Sequence, residues 1–296
     1  MNCINIGFFL MGKKGFKSLE FLLEKKDNFN IKYVVCSKDN SIIQDYFKEI
    51  SDLCAENNIE FIDRVLFDNN KYNNVNLIFA IGWRWIIRKN QDKIIVFHDS
   101  LLPKYRGFNP LVTCLIEGDD EVGVTALLAN ERMDSGNIIG QESVKIKYPL
   151  KIEKAIDIVS ELYSQLLYKT IIKYFNNELL EIVQNEEEST YSLWRNNEDY
   201  KVNWQENSAK IRRFVDAVGF PYNSASAIYN EKEISILEVS EQQDIRIINR
   251  VPGKIFEIMD NKPLVVCGEG IIKIEKAVYR NTEDEVKFNL LRVKIL

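Results

Sequence analysis

Five short, mostly apolar runs in the first hundred residues constrain the fold most: Cys3–Phe9, Ile31–Cys36, Ile59–Ile62, Val75–Ile81 and Ile94–Phe97, with Asn5, Lys32, Glu60 and Asn76 as single polar positions. A strand buried on both faces shows no polar alternation, so these runs read as parallel strands covered on both sides. Between them lie helical patterns: residues 16–23 after a turn over Gly12–Gly15, with an apolar face at Leu19, Leu22 and Leu23, and a helix over residues 42–57. Repeated strand-helix-strand units predict a mostly parallel sheet with right-handed crossovers. Gly123–Leu128 and Ile138–Ile146 follow as an antiparallel pair, then a long helix over residues 152–175 and a polar, acidic surface connection over residues 176–190. From Tyr191 the texture changes to short, evenly spaced strands at Tyr222–Tyr229, Glu233–Val239, Ile245–Ile248, Gly253–Met259, Pro263–Val266 and Ile271–Val278. That pattern predicts a small, OB-like β-barrel. The expected architecture is α/β, a Rossmann-like mostly parallel sheet with a smaller carboxyl-terminal β-barrel domain. The expected boundaries are 1–180, a linker over 181–200, and 201–296.

Charge narrows the function. The net charge of −5 and pI near 5.3 weigh against a nucleic-acid partner, which needs a basic face. Residues 201–296 carry 15 basic and 14 acidic side chains, so the second domain is not basic either. The five cysteines form no CxxC, and a single histidine makes a zinc site improbable, so no metal is expected. No basic segment followed by a long apolar run opens the chain, and no apolar stretch is long enough to span a bilayer. A cytoplasmic protein without a membrane partner is expected.

The one histidine, His98, stands at the carboxyl end of the fifth apolar run and opens the loop Asp99-Ser100-Leu101-Leu102-Pro103-Lys104-Tyr105-Arg106-Gly107. Open α/β sheets place ligands at such strand ends, and histidine is suited to proton transfer near neutral pH. Asp134, on a glycine-closed turn between the antiparallel strands, is the candidate orienter of that ring, because a carboxylate beside an imidazole fixes its direction. Taken alone, the same turn is an ordinary hairpin loop.

His98 to Gly107, then Pro110, Gly123-Val124-Thr125 and Asp134-Ser135-Gly136, in this order and spacing, resemble the signature of the enzymes that formylate amines with 10-formyltetrahydrofolate. The resemblance covers residues 1–180 and continues more weakly through Trp194-Arg195, Val202-Asn203-Trp204 and Phe220-Pro221-Tyr222. It implies the formyltransferase fold, 10-formyltetrahydrofolate as cosubstrate, His98 as general base or proton shuttle, and Asp134 as the group that holds and polarises it. It also implies a pterin wall from Gly82, Trp83, Arg84, Trp85 and Ile86, with Leu102 and a second rim at Asn130, Glu131 and Arg132. Met11, Lys13, Lys104, Tyr105, Arg106, Gly107 and Asn109 are the candidate substrate contacts, with Arg106 suited to a phosphate. Where the family has an oxyanion-donating asparagine two residues before the histidine, this chain has Val96, which donates nothing; Asn109 is the nearby replacement on sequence grounds.

Within the family, the wording of Gly82–Ile87 and of Phe97–Leu111 is most similar to bacterial sugar N-formyltransferases of surface-polysaccharide (lipopolysaccharide) biosynthesis. The expected substrate is a UDP- or dTDP-linked amino sugar, 4-amino-4,6-dideoxy sugars on the way to pseudaminic-type acids among them. Methionyl-tRNA formylation is the alternative, favoured by the second domain and opposed by the acidic pI. Glycinamide ribonucleotide formylation fits less well, for want of a second domain in that group. Val96 leaves a non-catalytic folate or nucleotide-sugar binding protein as a further alternative. The β domain is a candidate homodimer interface.

Overall fold

The computed structural model describes residues 3–25, 29–40, 42–68, 72, 74–87 and 93–296. The amino-terminal reading therefore lies partly outside the described residues, at Met1 and Asn2. The chain divides into two compact units. The first comprises the residues to Leu111, Glu121–Ile146 and Lys154–Leu193; the second comprises Val112–Asp120, Lys147–Glu153 and Trp194–Leu296. This partition differs from the contiguous boundaries expected from sequence. Two inner segments group with the carboxyl-terminal unit, where Tyr148 donates to the Asp119 carbonyl and Arg213 to that of Ile116.

In chain order the first unit holds β1 (Ile4–Leu10), α1 (Gly12–Leu23), β2 (Phe29–Cys36), α2 (Phe47–Glu56), β3 (Glu60–Asp63), β4 (Leu77–Ile81), β5 (Ile94–His98), β6 (Arg106–Gly107), β7 (Glu121–Leu128), β8 (Ile138–Lys145) and β9 (Tyr191–Ser192). Two helices, α3 (Pro110–Glu117) and α4 (Ile152–Phe175), run through both stretches of the partition. Seven strands form one sheet in the order β3-β2-β1-β4-β5-β7-β8. The pairs from β3 to β5 are parallel, and β5/β7 and β7/β8 are antiparallel. The apolar runs are buried as their composition requires: Ile6, Phe8 and Leu10 of β1 and Phe79 and Ile81 of β4 have no exposed surface. Each such side chain contributes about 1.5–3 kcal/mol over its exposed state.

Three local expectations are corrected. The turn over Gly12–Gly15 is the first turn of α1, and only Met11 stays extended before it. Helix α2 begins at Phe47 rather than Ile42, because the Asp45 carboxylate accepts the N–H groups of Asp39 and Phe47 and holds the preceding chain as a loop. Ile245–Ile248 is not a strand. Arg250 ties that segment down through Asp244, the Ile245 carbonyl and the carbonyls of Cys267 and Gly270, and Ile248 is left 83% exposed.

The second unit holds α5 (Ser208–Ala217) and the antiparallel strands β10 (Ala225–Tyr229), β11 (Lys232–Gln242), β12 (Ile255–Met259), β13 (Lys262–Val266) and β14 (Ile271–Tyr279), ordered β10-β11-β14-β13-β12. Residues 293–296 join its two edges. Ile228 and Leu296 exchange hydrogen bonds of 2.7 and 3.0 Å, and Ile295 donates to the Gly253 carbonyl beside β12 at 2.8 Å. The sheet is thereby closed in the manner of a small barrel, which removes its exposed edges.

Candidate active site

The strand order reverses between β1 and β4, the position where open α/β sheets form a crevice at their carboxyl ends. The two loops leaving these strands touch: Met11 donates its N–H to the Ile81 carbonyl at 3.0 Å. Gly82 has φ +64°, and a Cβ there would lie 2.6 Å from the Met11 carbonyl oxygen. Only glycine allows that approach.

Past the turn, Trp83, Trp85, Ile86 and Ile87 line a cavity of about 170 Å³ together with Phe9, Arg64 and Phe67. The Arg64 guanidinium stacks over the Trp85 ring at 4.1 Å, and among the described residues the buried Trp83 indole N–H has no acceptor. Three of the expected pterin-wall residues, Trp83, Trp85 and Ile86, thus line this cavity, and Gly82 makes the turn that leads into it. The Arg84 side chain turns to the buried Asp39 carboxylate in a 2.6 Å ion pair. Phe9, Arg64 and Phe67 were missed, since nothing in their sequence surroundings sets them apart from ordinary core and surface residues.

One strand further, β5 ends in His98, paired across the sheet with Thr125 of β7. The ring is 7% exposed. Its Nε2 lies 2.8 Å from the Tyr105 carbonyl, which only accepts, so Nε2 carries hydrogen. Nδ1 lies 3.6 Å from Asp134 Oδ2 and is the nitrogen left to take up a proton. Asp134 adopts φ +52° on the β7–β8 turn, and the same Oδ2 accepts the Gly107 N–H at 2.8 Å. The turn is closed by Gly136, whose Cβ, if present, would stand 1.8 Å from the Leu128 carbonyl oxygen. The two expected catalytic side chains are therefore brought together in the first unit.

The remaining expected residues divide. Lys104 is exposed and, among the described residues, its ammonium has no partner. Lys13 pairs with Asp157, and Met11 is buried, offering backbone to the crevice rather than side chain. Asn130, Glu131 and Arg132 lie exposed on the Asp134 hairpin, where the Asn130 side chain accepts the Arg132 N–H and meets Ser135. Leu102 is 3% exposed and packs with Leu127, Ile138 and Val96, so it belongs to the apolar floor.

Arg106 is corrected. It is 2% exposed, and its guanidinium is occupied by Gln184 Oε1 at 2.8–3.1 Å and by both Glu186 oxygens at 2.8–2.9 Å. Gln184 in turn donates to the carbonyls of Asp134 and Gly136, both at 2.8 Å. A buried guanidinium paired in this way braces the Asp134 turn, in place of the phosphate contact expected from sequence. The acidic segment expected to be a surface connection supplies this brace, and Thr190 and Ser192 bind the backbone of Arg106 and Phe108. Neither Gln184 nor Glu186 carried a sequence signal.

Asp99, beside His98, was not singled out either. Burial pushes its carboxyl up, but the Lys14 ammonium and hydrogen bonds from Lys14 and Tyr163 outweigh that and hold it below the usual carboxylate range. This pair ties the first turn of α1 to the end of β5. Among the described residues, no cluster of His, Cys, Asp and Glu has the makings of a metal site.

Comparison with known proteins now decides the family. The formyl transferase family matches residues 22–171, and its carboxyl-terminal domain matches residues 195–284. The chain belongs to the formyl transferase family. A methionyl-tRNA formyltransferase of Alkaliphilus oremlandii is 30% identical over 234 residues, 75% of this chain and 74% of that protein. One from Clostridium perfringens is 30% identical over 189 residues, and there the match spans only 60% of the relative. Among solved structures, the sugar 3N-formyl transferase WlaRD, crystallised with dTDP and 5-N-formyl-THF, shares the fold with a TM-score of 0.70 at 21% identity, covering 95% of this chain and 100% of that one. An N-formyltransferase from Helicobacter canadensis, in complex with folinic acid and dTDP-3-aminofucose, gives 0.69 at 19% identity, covering 93% and 99%. The methionyl-tRNA formyltransferase of Clostridium thermocellum gives 0.56 at 18%, covering 81% and 94%. The formyltransferase fold expected from sequence is the fold of this chain.

Proposed function

We propose that this formyltransferase moves the formyl group of 10-formyltetrahydrofolate to the primary amine of a nucleotide-linked amino sugar, with His98 and Asp134 as the catalytic pair. The observation that carries the reading is His98 Nδ1 standing 3.6 Å from a carboxylate that is itself fixed by a backbone N–H. As the amine nitrogen bonds to the formyl carbon, its proton passes to Nδ1, and Asp134 stabilises the resulting imidazolium. The same proton then goes to the folate nitrogen as its bond to the formyl carbon breaks, so the ring ends as it began. The apolar, tryptophan-walled cavity after β4 suits a flat heteroaromatic ring, and the Trp83 N–H awaits an acceptor.

For the substrate, the support is the near-complete match to two sugar N-formyltransferases of similar length, together with the net charge of −5. A soluble cytoplasmic enzyme is the setting that fits a nucleotide sugar and a folate. The second reading is methionyl-tRNA formylation, favoured by the 30% identity to such enzymes. The test supplies 10-formyltetrahydrofolate with a dTDP-3-amino sugar, a UDP-4-amino sugar or charged initiator tRNA and measures tetrahydrofolate release. Turnover with a nucleotide sugar, lost 10²–10⁴-fold in His98→Asn and Asp134→Ala while folinic acid still binds, is expected. Turnover with tRNA alone, weakening steeply with salt, gives the activity to the second reading.

A further inference from the structure

Acyl transfer to an amine creates a negative oxygen on the formyl carbon, and a preorganised donor facing that oxygen is among the largest single contributions to such catalysis. The strand that delivers His98 offers no side-chain donor on the same face. Val96 is the residue one pleat back, half-buried, packed both against the Phe9–Ile94 cluster and against Leu102, Leu127 and Ile138. The loop that wraps the ring has no free backbone donor, and its uncommitted side-chain cation, Lys104, is exposed to solvent. Every backbone N–H from Lys104 to Phe108 has a protein acceptor: the Leu101 carbonyl, Thr190 Oγ1, the Thr190 carbonyl, Asp134 Oδ2 and the Ser192 carbonyl. The Arg106 guanidinium is occupied, and the Asn130 amide is engaged with Ser135 within its own turn.

Asn109 breaks this pattern. It follows directly in the same loop, is half-buried, and holds a left-handed φ of +51°. Among the described residues its side-chain amide has no hydrogen-bond partner. It stands two residues beyond Gly107, so its Cα lies within about 7 Å of the residue that clamps Asp134. A half-buried amide with both hydrogens uncommitted among the described residues, beside a site short of backbone donors, points to a ligand-directed role.

We infer that the Asn109 side-chain amide is the oxyanion donor of this enzyme, the work being done from the loop after the histidine rather than from the strand before it. The inference rests on the formyl-transfer reading above. It makes Asn109 and Val96 a compensating pair: an amide at one position makes an amide at the other dispensable.

The test measures tetrahydrofolate release from 10-formyltetrahydrofolate with the best amine acceptor, alongside folinic acid affinity and thermal melting. Asn109→Gly accepts the left-handed φ, and Asn109→Asp keeps the size while removing both donor hydrogens. Each variant is expected to lower kcat about 10²–10³-fold, with KM and folinic acid affinity within threefold of the parent. Adding Val96→Asn to Asn109→Gly is expected to recover at least tenfold of that loss. Variants that retain kcat within threefold overturn the assignment, as does a loss confined to KM or to folinic acid binding, or a double variant no faster than Asn109→Gly alone. The formyl-transfer reading fails separately, if His98→Asn turns over like the parent or no amine is formylated at all.

Discussion

Gly107 gives its backbone N–H to Asp134 Oδ2 at 2.8 Å, and His98 Nδ1 lies 3.6 Å from the same oxygen. One carboxylate oxygen thus faces both the loop that follows the histidine and the ring itself. The direction of Asp134 is fixed from outside its own turn, by a loop that also touches the opposite ring nitrogen through the Tyr105 carbonyl. The proposed acid–base pair depends on two loops held in register, and the predictions concern what keeps them there.

Gly136 sets the depth of the Asp134 turn. A methyl group there would stand 1.8 Å from the Leu128 carbonyl, far inside contact distance, and the obstacle is backbone. Gly136→Ala is expected to cost about 1–3 kcal/mol of stability through this overpacking. Since the turn must move to admit it, kcat is expected to fall at least tenfold although Gly136 carries no side chain of its own. Chemical denaturation paired with steady-state kinetics checks both, and parental kcat in a folded Gly136→Ala protein would refute the coupling.

How much of this is legible in the chain follows from the physics of each part. Buried parallel strands announce themselves as mostly apolar runs, so β1, β2, β4 and β5 are readable in the sequence, and with them the place of His98 at a strand end. The Arg106 brace is not readable. It joins residues 78 and 80 positions apart, and an acidic, polar stretch such as residues 176–190 looks the same whether it is solvated or closes over a guanidinium. Helices α3 and α5 were missed because eight and ten residues give barely two or three turns of periodicity. Asn207, which caps α5 by accepting the Lys210 N–H, was the available signal.

Arg106 separates a brace from a phosphate ligand. In Arg106→Met, Gln184 Oε1 loses its two donors inside a site where Gln184 is 6% exposed, whereas Glu186 simply returns to water. The expected cost is about 2–4 kcal/mol, read as a lower melting temperature, together with a fall in kcat as the Asp134 turn loosens. A variant of parental stability with a raised KM for the nucleotide substrate alone would restore Arg106 to phosphate binding.

On the proposed nucleotide-sugar reading, Lys104 is a cation open to the diphosphate, one residue from the carbonyl that meets His98 Nε2. Lys104→Met is expected to raise KM for the nucleotide sugar on the order of tenfold, the loss of one charge-assisted contact at an exposed position, with kcat unchanged. The parental KM should also rise with ionic strength while that of Lys104→Met stays flatter. Equal salt dependence in the two proteins would remove Lys104 from substrate binding.

Lys14 and Asp99 make the stability of the first unit depend on pH. With Lys14 in place, the Asp99 carboxyl is held below its unfolded value of about 3.9, so its contribution is present above that pH and fades as pH falls through the lower folded value. Replacing Lys14 by methionine leaves burial as the dominant influence, and the folded carboxyl then titrates above the unfolded one. The sign reverses: stability should be retained in acid and decline as pH rises from about 4 toward 7, where a buried charge is left with the Tyr163 hydroxyl and the lesser influence of His98. Melting temperatures of Lys14→Met, measured from pH 4 to 7 against the parent, should therefore diverge progressively, and Asp99→Asn in the same background should close the gap. Parallel curves at every pH would mean that the ammonium does not set the ionisation of Asp99.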